Sequence, residues 1–414
     1  MRIYLGAFGD PGHAFPMLAL GKTLAARGHD VAFETWRRWR DDVEAAGMTF
    51  AAAPEYQVFP TPEKPMKPYA AAVRAAREIQ PFVREFAPDM AVTDILTPGP
   101  ALAAELEGVP VATLVPHVHP HGAPGHPAYS IGARLPRTPV GAALWRWTYR
   151  KMIQSGLEQG RDQYNECRRR LGLAPLPWVH TALSRELTLV GTLPHLEYPR
   201  EWPHWLRVVG PLQWEPPGER VAPSPGAGPV VLVAPSTSQD PEHRLLRAAL
   251  AGLADTPVRV IATYNGHEPG APLDVPANAV LVPWLSYSQT MPACDVVVLH
   301  GGHGTLVRAL SAGCAIVVCP AAGDMAENAA RVDWAGLGVR LPRRWLGPRS
   351  VRLAVERVLA KPKIRTRARA VAAWAAAHDG ADTAAREVER WAARRDGDRV
   401  RCSSRRRAGS SPRS

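Results

Sequence analysis

Each half of the chain opens with the same pattern of hydrophobic and polar positions. Residues 1–8 and 229–234 are apolar runs of strand length, and each leads through a polar turn into a segment with helical spacing and then a second β-branched run. Both runs are apolar at successive positions rather than alternate ones, which is typical of parallel strands covered by helices on both faces. The pattern therefore predicts a β-α-β unit at the start of each half.

The alternation continues through both halves. In the first half it predicts further strands at residues 30–34, 48–52, 90–93 and 109–115 and helices at residues 14–27, 37–46, 68–86 and 101–107. In the second half it predicts further strands at residues 259–264, 279–282, 295–300, 315–319 and 339–341 and helices at residues 242–254, 305–312 and 327–335. Strands that alternate with helices in this way predict two doubly wound α/β domains.

Proline and glycine mark the boundary between the halves. They are dense from residue 210 to residue 229, which is typical of a linker. We therefore predict a first domain at residues 1–212, a linker at 213–228, a second domain at 229–362 and further helices at 363–395. Ligands of doubly wound sheets bind beyond the carboxyl ends of the strands, so two facing domains would place a site between them.

The composition is that of a globular protein of the cytoplasm. Of the 414 residues, 46% are hydrophobic and 21% are charged, the balance of soluble domains. Apolar runs are far shorter than a membrane span, and the chain enters a strand without a secretory leader, so we expect a cytoplasmic protein without an integral membrane segment. The five cysteines are odd in number and lack Cys-x-x-Cys spacing, which argues against disulfides and a zinc site.

The net charge of +12 is divided between a basic tail and a scattered remainder. Residues 396–414 contain six arginines and two aspartates with few apolar residues, so we predict a disordered tail. The other positive charges form no stripe with aromatic residues, which argues against a nucleic-acid partner. A mildly positive cleft for an anionic nucleotide accounts for them better.

The most specific chemistry lies where a predicted strand joins a helix, at His300-Gly-Gly-His-Gly-Thr305. Glycines let the backbone approach a ligand closely, while unpaired N–H groups and the helix dipole favour an anion. We predict that a diphosphate binds this loop, at His300, Gly302, His303, Gly304 and Thr305. The alternative is a tight turn without a ligand, but such a turn has no need of two histidines.

Other nucleotide and ester chemistries have no matching motif in the sequence. The chain lacks G-x-x-x-x-G-K-[ST], and neither β-α-β opening carries G-x-G-x-x-G, which disfavours a P-loop and a dinucleotide dehydrogenase. No G-x-S-x-G elbow accompanies the His-Gly-Gly string, which argues against an esterase.

From residue 1 to about residue 395, the chain resembles the GT-B glycosyltransferases of family 1, which include the antibiotic and macrolide glycosyltransferases of actinobacteria. The residues that carry the resemblance are Gly9-Asp-Pro-Gly-His-Ala-Phe-Pro16, Asp94, Val282-Pro-Trp284, the loop at residues 300–305, Gly313, Pro320, Asp324-Met-Ala-Glu-Asn328, Arg331 and Gly336-Leu-Gly338. The resemblance implies the α/β GT-B fold, in which two Rossmann-like domains with parallel sheets face each other across a cleft.

The resemblance also implies a catalytic pair. His13 would be the general base that takes the proton of the acceptor hydroxyl, and Asp94 would orient the imidazole and stabilise its charged form. The local alternatives are that His13 only enters a helix and that Asp94 only caps the next one.

On the donor side, the resemblance implies four further roles. Trp284 would stack on the nucleotide base, Ser236 and Thr237 would reach the diphosphate, and Asp324 would accept hydrogen bonds from sugar hydroxyls. The local alternatives are a core tryptophan, caps for the helix predicted from residue 242, and a helix-start residue.

Two positions depart from the family pattern. Many relatives have a glutamate for the ribose hydroxyls three residues after the threonine of the phosphate loop, where this chain has Arg308, and Asp-Gln is common where this chain has Asp324-Met325. The missing carboxylate removes a partner for the 2′-hydroxyl, so a TDP-sugar fits as well as a UDP-sugar. The missing glutamine fits a deoxysugar.

The acceptor side carries fewer signals. His117, His119 and His121 alternate after the strand at residues 109–115, but prolines interrupt that strand. We therefore expect these histidines to line an acceptor pocket rather than to bind a metal. The aromatic-rich stretch at residues 145–152 has helical character and is predicted either to form an apolar wall of that pocket or to pack in the core.

These observations predict an inverting glycosyltransferase that moves a sugar from a UDP- or TDP-sugar to a hydroxyl of a small hydrophobic natural product. We expect no metal and no other cofactor, and the oligomeric state stays open. Two alternatives also stay open: an NDP-sugar epimerase of the same fold, which would convert the donor without an acceptor, and a catalytically inactive partner protein that binds nucleotide.

Overall fold

The structure, a computed structural model, describes residues 1–54, 71–236, 239–321 and 323–408, with side chains up to residue 395. Two parallel β-sheets organise the chain, one in each half, and both are covered by helices. The predicted α/β fold with two Rossmann-like domains is therefore confirmed.

The first sheet has seven parallel strands in the order β3-β2-β1-β4-β5-β6-β7. The strands are β1 (Arg2–Gly6), β2 (Asp30–Thr35), β3 (Thr49–Ala52), β4 (Met90–Asp94), β5 (Val111–Val115), β6 (Thr188–Val190) and β7 (Leu206–Val208). The helices of this half are α1 (Pro11–Ala26), α2 (Arg40–Ala45), α3 (Ala72–Phe86), α4 (Pro98–Leu106), α5 (Pro139–Thr148) and α6 (Gln154–Arg170), and a π-helix (Tyr149–Ile153) joins the last two.

The second sheet has six parallel strands in the order β10-β9-β8-β11-β12-β13. The strands are β8 (Val230–Ala234), β9 (Arg259–Thr263), β10 (Ala279–Val282), β11 (Val296–Leu299), β12 (Ala315–Val318) and β13 (Gly338–Arg340). The helices are α7 (Arg244–Leu253), α8 (Tyr287–Thr290), α9 (His303–Ser311), α10 (Met325–Ala335), α11 (Pro348–Leu359), α12 (Pro362–Ala376) and α13 (Gly380–Ala408).

Successive apolar positions in the strands reflect burial on both faces of each sheet. In β1, Ile3 and Leu5 pack in the cluster that contains α1, while Tyr4 between them packs against α3 and α4. Adjacent residues of a strand point to opposite faces, so a strand covered on both sides needs apolar residues throughout. The sequence pattern therefore identifies the central strands correctly.

Every predicted strand is present, and the ends differ by at most two residues. The sequence prediction misses β6 and β7, which have only three residues each. It also starts the first helix at residue 14, whereas α1 begins at Pro11 because Asp10 caps it by accepting a hydrogen bond from the backbone of Gly12. This difference places His13 in the first turn of the helix.

The C-terminal helices connect the two halves. The α12 residue Val371 packs in the core of the second domain, whereas Val388 and Trp391 of α13 pack with α1 in the core of the first. The α13 helix continues to Ala408, although the sequence analysis predicts a disordered tail from residue 396. Arginine and alanine are good helix formers, which favours continuation of a helix already anchored by packing.

Within the described residues, the structure contains no helix that combines the length and the apolar character needed to cross a lipid bilayer.

Candidate active site

The candidate residues follow the central strands of the two sheets. In each sheet the strand order reverses at one point, between β1 and β4 in the first domain and between β8 and β11 in the second. Ligands of doubly wound sheets bind in the crevice that such a switch point opens beyond the carboxyl ends of the strands. His13 and Asp94 flank the first switch point, and Ser236 and His300 flank the second.

His13 and Asp94 form a buried pair at the first switch point. His13 Nδ1 lies 2.8 Å from Asp94 Oδ2. Because a carboxylate accepts hydrogen bonds, Nδ1 carries the proton and Nε2 is the unprotonated nitrogen of the neutral ring. The other oxygen of Asp94 accepts a hydrogen bond from the backbone N–H of Leu96 at 2.8 Å, so the carboxylate is held from both sides.

The pair makes the imidazole a stronger base. Burial lowers the pKa of His13, but the charge of Asp94 and its hydrogen bond outweigh burial, and the pKa lies above its ordinary value. The alternative in which Asp94 only caps a helix does not hold, because Thr97 is the N-cap residue of α4. The contact with His13 is the interaction that distinguishes Asp94 from an ordinary turn residue.

The loop at residues 300–305 has the geometry of an anion site. Gly302 caps α9, so the backbone N–H groups of the helix's first turn are left without partners inside the helix. Gly301 has a φ of +93°, and a Cβ on Gly302 would lie 2.3 Å from Nε2 of His300. Gly304 is exposed, and no atom lies within 4 Å of the place of its missing Cβ. Both the turn and the open approach to it therefore depend on glycine.

The two histidines of the loop occupy different environments. His300 Nδ1 lies 3.2 Å from the carbonyl oxygen of Ala234 and therefore donates to it, which leaves Nε2 as an acceptor in the neutral ring. Burial lowers the pKa of His300, so donation from Nε2 to a phosphate would require proton uptake. His303 is buried beside Gly191 and His117 of the first domain, and burial lowers its pKa to about 3. Its ring contributes to the domain contact, and its backbone N–H belongs to the helix start.

The other donor-side residues lie around this loop. Trp284 follows β10 and is 43% exposed, so it is not a core tryptophan. Ser236 is buried at the end of β8, where its Oγ accepts a hydrogen bond from the backbone of Gln239 at 2.9 Å. Asp240, rather than Ser236, binds the first turn of α7. Thr237 lies outside the described residues.

Asp324 faces the first domain across the cleft. It precedes α10 and makes no side-chain capping hydrogen bond to that helix. Its charge raises the pKa of His13 in the first domain and opposes the lowering of the pKa of His300 in the second. Burial raises the pKa of Tyr129 in the first domain, and the charge of Asp324 raises it further. Gly132 of the first domain packs against Ala326 at the start of α10, and the rings of His13 and His117 lie 6.2 Å apart, which is consistent with switch points that open towards each other.

A carboxylate from the linker accompanies Arg308. Glu215 forms an ion pair with Arg308 and also accepts hydrogen bonds from the hydroxyls of Ser286 and Ser288, at 2.6 and 2.5 Å. Burial raises the pKa of Glu215, but the charge of Arg308 and these hydrogen bonds outweigh it and lower the pKa. The family's glutamate is thus absent from α9, and the nearby carboxylate of Glu215 is already paired with Arg308.

A buried ion network holds the two domains together. Arg331 of α10 donates to Glu197 of the first domain and to Glu327 of its own helix, both at 2.9 Å. Glu197 also accepts a hydrogen bond from the backbone N–H of His119 at 2.6 Å. All three charged side chains are buried. A buried pair of this kind cannot lose one member without leaving an uncompensated charge.

We expect Arg331→Ala to lower the free energy of unfolding by about 3 kcal/mol, because it leaves Glu197 and Glu327 buried without a cation. The matched control is Arg134→Ala. Arg134 also crosses between the domains, to Asp333 at 3.0 Å, but its side chain is largely exposed, so its loss should cost less than about 1 kcal/mol. Urea unfolding measures both. Equal effects of the two substitutions would contradict the role given to the network.

The histidines after β5 extend from the cleft towards the first domain's interior. The rings of His13 and His117 lie 6.2 Å apart, and Tyr129 is hydrogen-bonded to His117 at 3.3 Å. His119 is buried, and burial lowers its pKa to about 2. The ring of His121 packs against that of His180 in a tilted arrangement, with centroids 4.1 Å apart. In the described part of the chain, no group of three or more His, Cys, Asp or Glu side chains is arranged to hold a metal ion.

The sequence analysis gives no role to Glu215 or Glu197. Each pairs with an arginine 93 or more residues away in the chain. The surrounding sequence carries no motif that marks either glutamate, because its importance arises only from the packing of the linker and of the two domains.

Comparisons with known proteins find one family model and several relatives that are similar to this chain. Residues 247–390 match the family described as "Erythromycin biosynthesis protein CIII-like, C-terminal domain". The chain is 28% identical over 402 residues to 4′-demethylrebeccamycin synthase of Lentzea aerocolonigenes, a match that covers 89% of this chain and 94% of that protein. It is also 28% identical over 422 residues to O-mycaminosyltylonolide 6-deoxyallosyltransferase of Streptomyces fradiae, covering 93% and 96% of the two chains.

A solved structure extends the comparison to three dimensions. Glycosyltransferase VinC, solved in complex with dTDP, aligns with a TM-score of 0.71 at 19% identity, over 95% of this chain and 100% of that one. The shared fold therefore includes both domains and the segments that join them.

Proposed function

We propose that this chain, which is similar to glycosyltransferases of antibiotic biosynthesis, transfers a sugar with inversion from a TDP- or UDP-sugar to a hydroxyl of a small hydrophobic natural product. The observation that carries the proposal is the buried His13–Asp94 pair, with 2.8 Å between Nδ1 and Oδ2, in a chain whose second domain presents the glycine-rich start of α9. A base and an anion site in one crevice are what this transfer requires.

His13 is the proposed general base. Its Nε2 would take the proton of the acceptor hydroxyl as the oxygen attacks the anomeric carbon, while the hydrogen bond from Nδ1 to Asp94 holds the ring in the required tautomer. The imidazolium that forms would be stabilised by the Asp94 carboxylate. Because attack comes from the side opposite the leaving nucleotide, the configuration at the anomeric carbon is inverted.

The start of α9 is the proposed site for the leaving diphosphate. The unpaired backbone N–H groups that follow Gly302 and the positive end of the helix would stabilise the charge that develops on the phosphate. Asn328 supports this loop, because its side-chain amide donates to the carbonyl oxygen of Gly301 at 2.8 Å. Asp324 would accept hydrogen bonds from the sugar hydroxyls. We propose that these groups suffice without a metal.

The Arg308–Glu215 pair favours a TDP-sugar over a UDP-sugar. The helix α9 has no acidic residue, and the nearby Glu215 is already paired with Arg308 and with the hydroxyls of Ser286 and Ser288, so neither offers a free carboxylate to a ribose 2′-hydroxyl. VinC, with the same fold, was solved with dTDP, and the Streptomyces fradiae relative is a 6-deoxyallosyltransferase by name. Both findings support a TDP-deoxysugar as the donor.

We expect Trp284→Ala to weaken nucleotide binding by about tenfold, because the exposed indole would no longer stack on the base. Calorimetric titration with dTDP and with UDP measures the loss. The control is Trp345→Ala, which removes an indole that is 61% exposed elsewhere in the same domain. A Trp284 variant that binds as tightly as the Trp345 variant would show that the base lies elsewhere.

The proposed function is tested by incubating the protein with a panel of UDP- and TDP-sugars and aromatic or macrolide acceptors. The expected result is release of nucleoside diphosphate that depends on the acceptor, together with a glycoside of inverted configuration detected by mass spectrometry and NMR. Conversion of the donor without an acceptor would instead identify an epimerase. Nucleotide binding without any product across the panel would favour an inactive partner protein.

A further inference from the structure

The helix α5 exposes an apolar row that no described part of the chain covers. Val140, Leu144 and Trp147 are 79%, 61% and 56% exposed. They are spaced by four and three residues, so they lie on one side of the helix. None of the residues of α5 is buried. An exposed group of aligned apolar side chains marks a surface that interacts with a protein or a membrane.

The π-helix at Tyr149–Ile153 extends this row by one residue. In a continuous α-helix, the next member of the row would be Lys151, eleven residues after Val140. A π-turn holds one residue more than an α-turn, so the twelfth residue takes that place. This residue is Met152, which is 69% exposed. The apolar row therefore has four members: Val140, Leu144, Trp147 and Met152.

The surroundings of the row are basic. No aspartate or glutamate occurs between Glu107 and Glu158. The same stretch contains five cationic side chains, namely Arg134, Arg137, Arg146, Arg150 and Lys151, all exposed. Among the described residues, only Arg134 of these five has an acidic partner, Asp333. The charges beside the row are thus available to an anionic surface.

We propose that α5 and the π-turn dock this protein peripherally on an anionic lipid surface. The apolar row would enter the boundary between headgroups and acyl chains, and the flanking arginines and Lys151 would reach lipid phosphates with their long side chains. Neither signal is sufficient alone, because stable attachment at a surface needs apolar burial together with electrostatic attraction. A protein partner fits less well, since four side chains in a ridge fall short of the roughly 800 Å² per side of a stable interface.

The test is co-sedimentation of the full chain with vesicles of phosphatidylcholine alone or mixed with phosphatidylglycerol. Binding is expected only with phosphatidylglycerol and should weaken as salt is added. Leu144→Glu should lower the partition coefficient about tenfold or more, because it removes apolar burial and adds a repelled charge. The matched control is Leu353→Glu, the same change at a leucine of α11 that is 53% exposed, which should stay within about twofold of the unmodified protein.

Three results would overturn the proposal. The first is sedimentation of the unmodified protein with neither kind of vesicle, or equally with both. The second is an equal loss of binding in the Leu144 and Leu353 variants. The third is a dimer, seen by analytical ultracentrifugation, that Leu144→Glu converts to a monomer without any vesicle binding, which would make this face a contact between two copies. None of these results bears on sugar transfer, because the transfer assay contains no lipid.

Discussion

Replacing His13 with alanine is expected to lower kcat by about two to four orders of magnitude, because no other group would take the acceptor proton as the bond forms. The ring belongs to the first domain, whereas the proposed diphosphate site lies at the start of α9 in the second. The affinity for dTDP or UDP should therefore stay close to that of the unmodified protein. Single-turnover transfer and calorimetric titration measure the two quantities separately.

The control for this substitution is His204→Ala. His204 is an exposed histidine of the same domain whose ring makes no contact with the candidate site. It should leave transfer and nucleotide binding unchanged. Full turnover in the His13 variant would refute the base assignment, and parallel loss of activity and nucleotide binding would indicate a folding defect.

Replacing Asp94 with asparagine is expected to lower kcat by about two to three orders of magnitude and to change its pH dependence. In the unmodified protein, burial lowers the pKa of His13, but the charge of Asp94 and its hydrogen bond, with smaller contributions from Asp10 and Asp324, together raise it above its ordinary value. The base is active only when neutral, so kcat/KM should rise with pH through this raised pKa. Without the carboxylate, burial dominates and lowers the pKa, and the acid limb of the profile should move to lower pH.

Asp89→Asn provides the matched control, because Asp89 lies immediately before β4, at the end of the strand opposite to Asp94. Its pH profile should coincide with that of the unmodified protein. An Asp94 variant with reduced activity but an unmoved acid limb would mean that the titrating group is not His13. The position of the limb therefore separates an effect through the imidazole from a general loss of structure.

The sequence predicts the architecture well because the parallel strands are buried on both faces. Runs such as Val230–Ala234 and Val296–Leu299 are apolar at every position, and their short length and richness in valine favour a covered strand over a buried helix. The three-residue strands β6 and β7 are too short to show any period. The return of α13 to the first domain also leaves no local signal, because it depends on contacts between residues far apart in the chain.

The site is predictable where a residue's role follows from its place after a strand. His13 follows β1 and Asp94 is the last residue of the neighbouring strand β4, and the structure brings them to hydrogen-bonding distance. The glycines at 301 and 302 are required by the turn itself. His303 is different, because its burial against the first domain depends on how the domains pack. The roles of His13 and Asp94 in catalysis, and of the loop at residues 300–305 in donor binding, stay predictions.

The ion pairs Arg308–Glu215 and Arg331–Glu197 could not be predicted. Arg308 appears in the sequence only as a missing glutamate, and its partner Glu215 lies in the linker. Arg331 matches the family pattern, but its partner Glu197 lies in the other domain. Ion pairs across such separations follow from tertiary packing, and the spacing and periodicity of residues in the sequence do not reveal it.

The central claim is that the loop at residues 300–305 holds a diphosphate while His13 faces the reacting carbon from the opposite domain. A crystal structure with bound dTDP tests it most directly. We predict that the β-phosphate accepts hydrogen bonds from backbone N–H groups at the start of α9, with Nε2 of His13 facing the same crevice. A diphosphate bound away from α9, or a His13 ring separated from it by protein, would contradict the account.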